Sequence, residues 1–259
     1  MLQVHPVDDL EQALTHSIAQ AFSQYDASSQ SFFKYLETLS IRGLNRHQYE
    51  IYRDNFFFRT SSTPRSISRL VTAAFLHLDL ATLETGIANL QDELGHGNPK
   101  NSHLQLLESA YNYHGEKVFA LSAVSIDRIG FSKLICPEAI EFRAKQKSLY
   151  QHRAYTIVLG CSFAQEFAAD QMLRIFYKTL FQPYRSLYTE QEFKQVSRYF
   201  TVHINGLEAH HAAQARSALL NNCRTSEDLA LMQRGMTEFL GIQANLWNGI
   251  LREMRKAGD

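Results

Sequence analysis

Apolar residues recur along this chain at steps of three and four, the spacing of a helix face. Leu10, Leu14, Ile18 and Phe22 step by four after Asp8 and Asp9, which predicts a first helix. Phe32, Tyr35, Leu36 and Leu39 share one face after Ser28 and Ser29 and predict a second. A third is predicted after an Asn45 cap, with the Ser61-Ser62-Thr63-Pro64 cluster breaking it and Pro64 suited to the first turn of a restart. Asp79 is expected to cap a helix that ends at Gly95, and another helix is predicted from Ser102 to about Tyr113. The stretch Val118 to Cys136 reads as loop plus short helix. Pro137 opens a helical run expected to reach about Leu180, ended by Gln182-Pro183-Tyr184. One helix is predicted from near Thr189 through Gly206 to about Asn221. The last is predicted from the cap Thr225-Ser226-Glu227-Asp228 to about Arg255. No segment alternates as a strand does, and no linker or repeat interrupts the pattern. The expected architecture is a single all-α domain over residues 1–259, a helical bundle of about seven to nine helices.

Composition narrows the function classes. Hydrophobic residues make up 45% of the chain, and 17 Phe with 12 Tyr can fill a sizeable core. The formal net charge is +0 without a charged tail, which argues against a nucleic-acid surface. The longest apolar stretch, Leu70 to Leu83, is interrupted by His77 and Asp79 and is too short to span a bilayer. Residues Met1 to Asp9 lack a basic segment followed by an apolar one, so no signal peptide is expected. Cys136, Cys161 and Cys223 lie far apart and odd in number, which fits a reducing, cytoplasmic compartment better than a disulfide framework.

Candidate chemistry is concentrated in three places. In Asp-Glu-Leu-Gly-His-Gly-Asn-Pro-Lys-Asn-Ser-His, residues 92 to 103, the helix breaks and restarts. Glu93 falls in the last turn of one helix and His103 in the first turn of the next, so the break can aim both at one point. Glu93 and His96 form a rival Glu-x-x-His pair, but His96 lies within the break. Glu166 is set among small and apolar residues, where an ionised carboxylate is rare unless paired. Asp170, one turn later, is either an acceptor behind it or a surface charge. The third place holds His203, Glu208, His210 and His211. In a regular helix His203 and His210 share a face and Glu208 turns away. One extra residue taken up as a π-bulge, eased by Gly206, aligns His203, Glu208 and His211. Glu93, His103, Glu166, His203, Glu208 and His211 therefore form a candidate set of metal ligands from separate helices. The plain alternatives are solvated helix residues, a capping histidine and a polar helix face.

These residues resemble those of the haem-oxygenase-like non-haem diiron proteins, also called iron-containing redox enzymes. That family's pattern is roughly Asp-Glu-x-Gly-x-Gly-Asx-Pro followed by His-x-x-Leu, as in Asp92 to Leu106 here, then a lone Glu on a mid-chain helix, then His-x-x-x-Asp-x-x-His. The likeness spans roughly residues 45 to 220. This chain departs from it in the last motif, with four residues instead of three after His203 and Glu208 in place of Asp. Some members use a further glutamate earlier in the chain. Residues 60 to 72 hold no acid here, and Glu84 is a poor substitute. The resemblance implies a haem-oxygenase-like bundle without haem, holding two Fe ions that cycle between Fe2+ and Fe3+. It implies an O2-dependent oxidase or oxygenase acting on a small organic acid or amine, with an electron donor that the residues do not identify. A homodimer is left open.

Two other classes stay open at this point. A metal-free, thiaminase-like hydrolase on the same fold would use Cys161 as its nucleophile. A non-enzymatic interaction module would dock through the last helix, whose Met232, Met236, Phe239, Leu240, Leu246, Trp247 and Leu251 form a stripe. Phe163, Phe167, Tyr199 and Phe200 are candidates for an apolar pocket or for plain core.

Overall fold

The computed structural model describes residues 7–258, and every regular element among them is helical. The helices are α1 (Val7–Arg42), α2 (Arg46–Thr60), α3 (Thr63–Leu76), α4 (Leu80–Leu94), α5 (His103–Phe119), α6 (Pro137–Tyr150) and α7 (Tyr155–Phe176). They continue as α8 (Glu190–Val196), α9 (Arg198–Val202), α10 (Glu208–Asn222) and α11 (Ser226–Lys256). Short 3-10 turns lie at Pro99–Asn101 and Ile126–Phe131, and π turns at Tyr177–Phe181 and His203–Leu207. None of the helices is long and apolar enough to cross a membrane. The expectation about a leader rests on a segment of which residues 1–6 lie outside the described ones.

Most boundaries follow from local chemistry. Asn45 accepts from the Gln48 backbone N–H while the Gln48 side chain accepts from the Asn45 N–H, a reciprocal cap on α2. Thr225 and Asp228 do the same for α11. Asp79 accepts from the Thr82 N–H at the start of α4, and Gly95 ends that helix in the left-handed region at φ +78. Pro64 stands in the first turn of α3.

Four expectations need correction. The helix predicted from near Thr189 through Gly206 to about Asn221 is three, α8, α9 and α10, because Asn205 and Gly206 leave helical geometry and Ser197 separates α8 from α9. The first two predicted helices are one, α1, which already includes Asp8 and Asp9. Ser28 and Ser29 do not break it, because their hydroxyls donate back to the carbonyls of Gln24 and Tyr25 and so stay compatible with the helix. The run after Pro137 is two helices. It breaks at residues 151–154, where His152 Nδ1 accepts from the Ala154 N–H, 3.0 Å away. Helix α5 continues beyond Tyr113 to Phe119, so the loop begins later than expected.

Helix α11 is the central rod and packs against α7, α1, α6 and α2. Its apolar stripe is buried, from Met232 through Trp247 to Leu251, so it is core and not a docking face. Trp247 stacks on Phe32 with ring centres 5.3 Å apart, and its indole N–H donates to the Tyr25 hydroxyl. Helices α7 and α11 approach closely where Gly160 faces the Met232 carbonyl and Gly235 faces the Ile157 carbonyl. A Cβ at either glycine would collide with backbone that no side-chain rotation can relieve. Gly235→Ala is therefore expected to cost about 2–3 kcal/mol, lowering Tm by roughly 5–10 °C in calorimetry. An unchanged Tm would show that this crossing can open without cost.

On its other side α7 packs against α10 and α3, and α4 against α3 and α10. Helices α4, α5, α7, α9 and α10 thus converge, and Glu93, His103, Glu166, His203, Glu208 and His211 all lie on these elements or on the π turn that joins α9 to α10.

Candidate metal centre

The break after α4 brings Glu93 Oε1 to 3.3 Å from His103 Nδ1. His203 opens the π turn between α9 and α10, and its ring centre lies 4.3 Å from that of His103. The π turn is the bulge expected from the sequence. Within it Asn205 and Gly206 leave helical geometry, Gly206 at φ +110, where an L side chain is strained. The turn absorbs the additional residue, and Glu208 emerges buried beside His203, with Oε1 3.8 Å from Nε2. His211 follows one turn later, with Nδ1 3.8 Å from Glu166 Oε2.

These six side chains fall into two triads. Glu93, His103 and His203 present donor atoms within 4.8 Å of one another, and so do Glu166, Glu208 and His211. The contact between His203 and Glu208 joins the two groups. Each triad combines carboxylate oxygen with imidazole nitrogen, the donor mixture suited to divalent iron or manganese. Every member is buried except Glu93, which is half-buried. His103 Nδ1 is buried with no hydrogen bond, because its approach to Glu93 is close but misaligned. An orphaned imidazole nitrogen facing carboxylates fits a cation between them.

Hydrogen bonds fix the orientation of two of the rings. His203 Nδ1 donates to the Tyr199 carbonyl at 2.5 Å, which leaves Nε2 facing Glu208. His211 Nε2 donates to Asp92 Oδ2 at 3.2 Å, which leaves Nδ1 facing Glu166. Asn89 donates to Glu166 Oε1 at 3.4 Å. A carboxylate or carbonyl behind a ligating histidine fixes its tautomer and orientation. The role of Asp92 was not visible in the sequence. Its signal was its place at the head of the Asp92 to His103 run, but which histidine it serves depends on α4 packing against α10.

Other candidates fall outside. His96 is exposed and pairs with Asp92 Oδ1. His210 is exposed and bonds Gln214, so of the two adjacent histidines it is His211 that turns inward. Glu84 is exposed on α4. Asp170 belongs to neither triad: its Oδ2 pairs with Arg174 at 2.8 Å, while its Oδ1 is buried without a partner near Glu208. Cys161 is fully buried, and burial pushes its thiol well above the ordinary value, which removes the thiolate that a nucleophile needs.

Three carboxylates crowd this space. Burial, then the charges of Glu166 and Glu93, holds the Glu208 carboxyl well above its ordinary value. Burial raises Glu166 too, with His211 opposing and Glu93 adding. Burial works against charge on Glu93, but His103, His203 and His211 outweigh it and hold that carboxyl low. His203 is pushed down to about 4 by burial and by His103 beside it. Such a set conflicts with itself when empty and becomes complementary when divalent cations supply the missing charge.

Two spaces adjoin the triads. A small cavity of about 40 Å³ is lined by Glu93, His103, His203, Glu166 and Glu208 together with Arg59, Thr60, Thr63 and Tyr199. An apolar groove of about 490 Å³ runs between α7 and α10, past Phe163, Phe167, Ala209, Ala212 and Ala213, with Glu208 in its wall. Of the four aromatic candidates, Phe163 and Phe167 line the groove, Tyr199 lines the cavity, and Phe200 is core.

Comparison with known proteins agrees with this architecture. The model of a family described as iron-containing redox enzyme matches residues 67–244. No curated protein matches the sequence significantly. A CADD-like protein of unknown function from Nostoc punctiforme superposes with a TM-score of 0.71 at 15% identity, covering 93% of this chain and 97% of that one. A domain of unknown function with a haem oxygenase-like fold from Shewanella denitrificans superposes with a TM-score of 0.67 at 15% identity, covering 95% of each. The fold is haem-oxygenase-like.

Proposed function

This chain belongs to the iron-containing redox enzyme family, and we propose that it is a non-haem diiron oxidase or oxygenase that uses O2. The observation that carries the reading is the pair of adjoining triads, Glu93–His103–His203 and Glu166–Glu208–His211. Glu93, His103 and His203 would hold one iron, and Glu166, Glu208 and His211 a second. Ferrous iron held there would supply the electrons for O2 chemistry, which no side chain here can provide.

The protein's part is to hold and to shield. Asp92 and the Tyr199 carbonyl fix the two histidines of the late motif, and Asn89 steadies Glu166. Burial keeps bulk water from the carboxylates and strengthens their hold on a cation. The apolar groove offers the carbon skeleton of a substrate a place directly beside Glu208. A small organic acid or amine fits this arrangement, together with an external electron donor. The separated free cysteines suit a cytoplasmic setting.

Adding Fe(II) without oxygen and then admitting O2 is expected to give a transient visible absorption band. The band should vanish in Glu166→Ala. An equal band in that variant, or none in the wild type loaded with iron, would refute O2 activation at this site.

A further inference from the structure

The wall that α2 and α3 contribute to the 40 Å³ cavity carries no acid. Arg59 and Thr60, from the last turn of α2, stand there with Thr63. Arg59 is 6% exposed. One guanidinium nitrogen, Nη2, donates to Gln243 Oε1 at 2.8 Å, while Nε is buried with no partner. Among the described residues no carboxylate lies within 4.0 Å of it. Its guanidinium carbon lies 5.7 Å from the Phe142 ring centre and 5.9 Å from that of Trp247, which steadies the charge but provides no counter-anion. The Thr60 hydroxyl is likewise buried and unpartnered.

Glu208 attracts this cation across the cavity but does not contact it, so the buried guanidinium stays incompletely compensated, and an unsatisfied hydroxyl beside it adds to the cost. Both costs vanish if an anion enters the cavity. The guanidinium is a planar fork matched to two oxygens, and Thr60 can donate to one of them. The space fits a head group of that size, since one water needs roughly 10–15 Å³ and the cavity has about 40 Å³.

We propose that Arg59 and Thr60 form a subsite for the carboxylate of the organic substrate, holding it beside the two triads. The proposal rests on the two-iron reading and narrows it from an acid or amine to a carboxylate-bearing substrate.

The test is calorimetric titration of acetate into wild type, Arg59→Lys, Arg59→Gln and Thr60→Val. Each is measured metal-free and loaded with Fe(II) without oxygen, with iron content determined in parallel. Arg59→Lys keeps the charge and loses the fork, so its Kd for acetate is expected to rise about 10-fold. Arg59→Gln should raise it about 100-fold and Thr60→Val about 3- to 10-fold, with iron content unchanged in all three. If Arg59→Gln does not fold, Arg59→Lys and Thr60→Val decide the matter. Equal acetate affinity in the variants overturns the subsite and leaves the two-iron reading standing. Loss of iron without selective loss of acetate makes Arg59 part of the metal's charge balance and also overturns it. Tighter binding of inorganic phosphate than of acetate overturns the carboxylate assignment. A wild type that takes up no iron overturns the two-iron reading alone, and the metal-free titrations still decide the subsite.

Discussion

Glu166→Ala is expected to lower bound iron from two ions per chain to at most one and to reduce O2 consumption at least about 100-fold. Glu166 is the sole member of the six that α7 contributes. Without it, Glu208 and His211 are left as a two-donor site next to a pocket that still carries a second carboxylate, Glu93. The isosteric change Glu166→Gln separates ligation from folding. Its carboxyl is raised in the folded state, by burial first. A group raised in this way contributes stability below its unfolded pKa and loses it as pH rises through the folded value. At neutral pH, above the unfolded value, burying this carboxyl therefore costs the metal-free protein stability. Glu166→Gln should leave metal-free Tm equal or raise it by a few degrees, about 2–4 °C for each kcal/mol relieved, while abolishing the rise that iron gives the wild type. Iron analysis beside calorimetry checks both signs. A variant with a lowered metal-free Tm that still binds two irons would mean that Glu166 is structural.

Deleting Gly206 and replacing it should have opposite effects. The chain has His203, four residues, Glu208, two residues and His211. The π turn absorbs the additional residue so that all three face inward. Deletion turns the segment into His-x-x-x-Glu-x-x-His, whose spacing lets a regular helix place the same three side chains on one face. Iron stoichiometry is expected to survive the deletion. Gly206→Val keeps the additional residue but denies it φ +110, a conformation worth about 1–3 kcal/mol of strain for a side chain of that kind. No atom lies within 4 Å of the added Cβ, so the strain would come from the backbone alone. Relaxing that strain rotates Glu208 and His211 away from His203. Gly206→Val should therefore lose most of its iron and lower Tm by several degrees. Equal iron in both variants would show that the bulge does not set the ligand geometry.

Much of this was legible because helix period and ligand chemistry are both local. The Asp92 to His103 break, the polar outlier Glu166 and the misfit between His203 and Glu208 each conflict with a plain core helix. Those conflicts mark the side chains that the structure brings together, and the π turn is the phase that puts a carboxylate between two imidazoles. What the sequence hid depends on packing. Asp92, Asn89 and the Tyr199 carbonyl support the donors across helix contacts that no spacing reveals. Arg59 reads as one more polar residue until its buried, unpartnered Nε is seen. The breaks misled in both directions. Ser28 and Ser29 resembled a cap and were absorbed by bonds to their own helix. Residues 151–154 end α6 without the glycine or proline that would have announced it.

The central claim is that the two triads hold two irons close enough to interact. Anaerobic Fe(II) titration followed by Mössbauer spectroscopy of the oxidised protein tests this most directly. The account predicts saturation at two irons per chain and a diferric spectrum without magnetic splitting, as expected for an antiferromagnetically coupled pair. Saturation at one iron, or two irons with the spectrum of isolated high-spin sites, would contradict it.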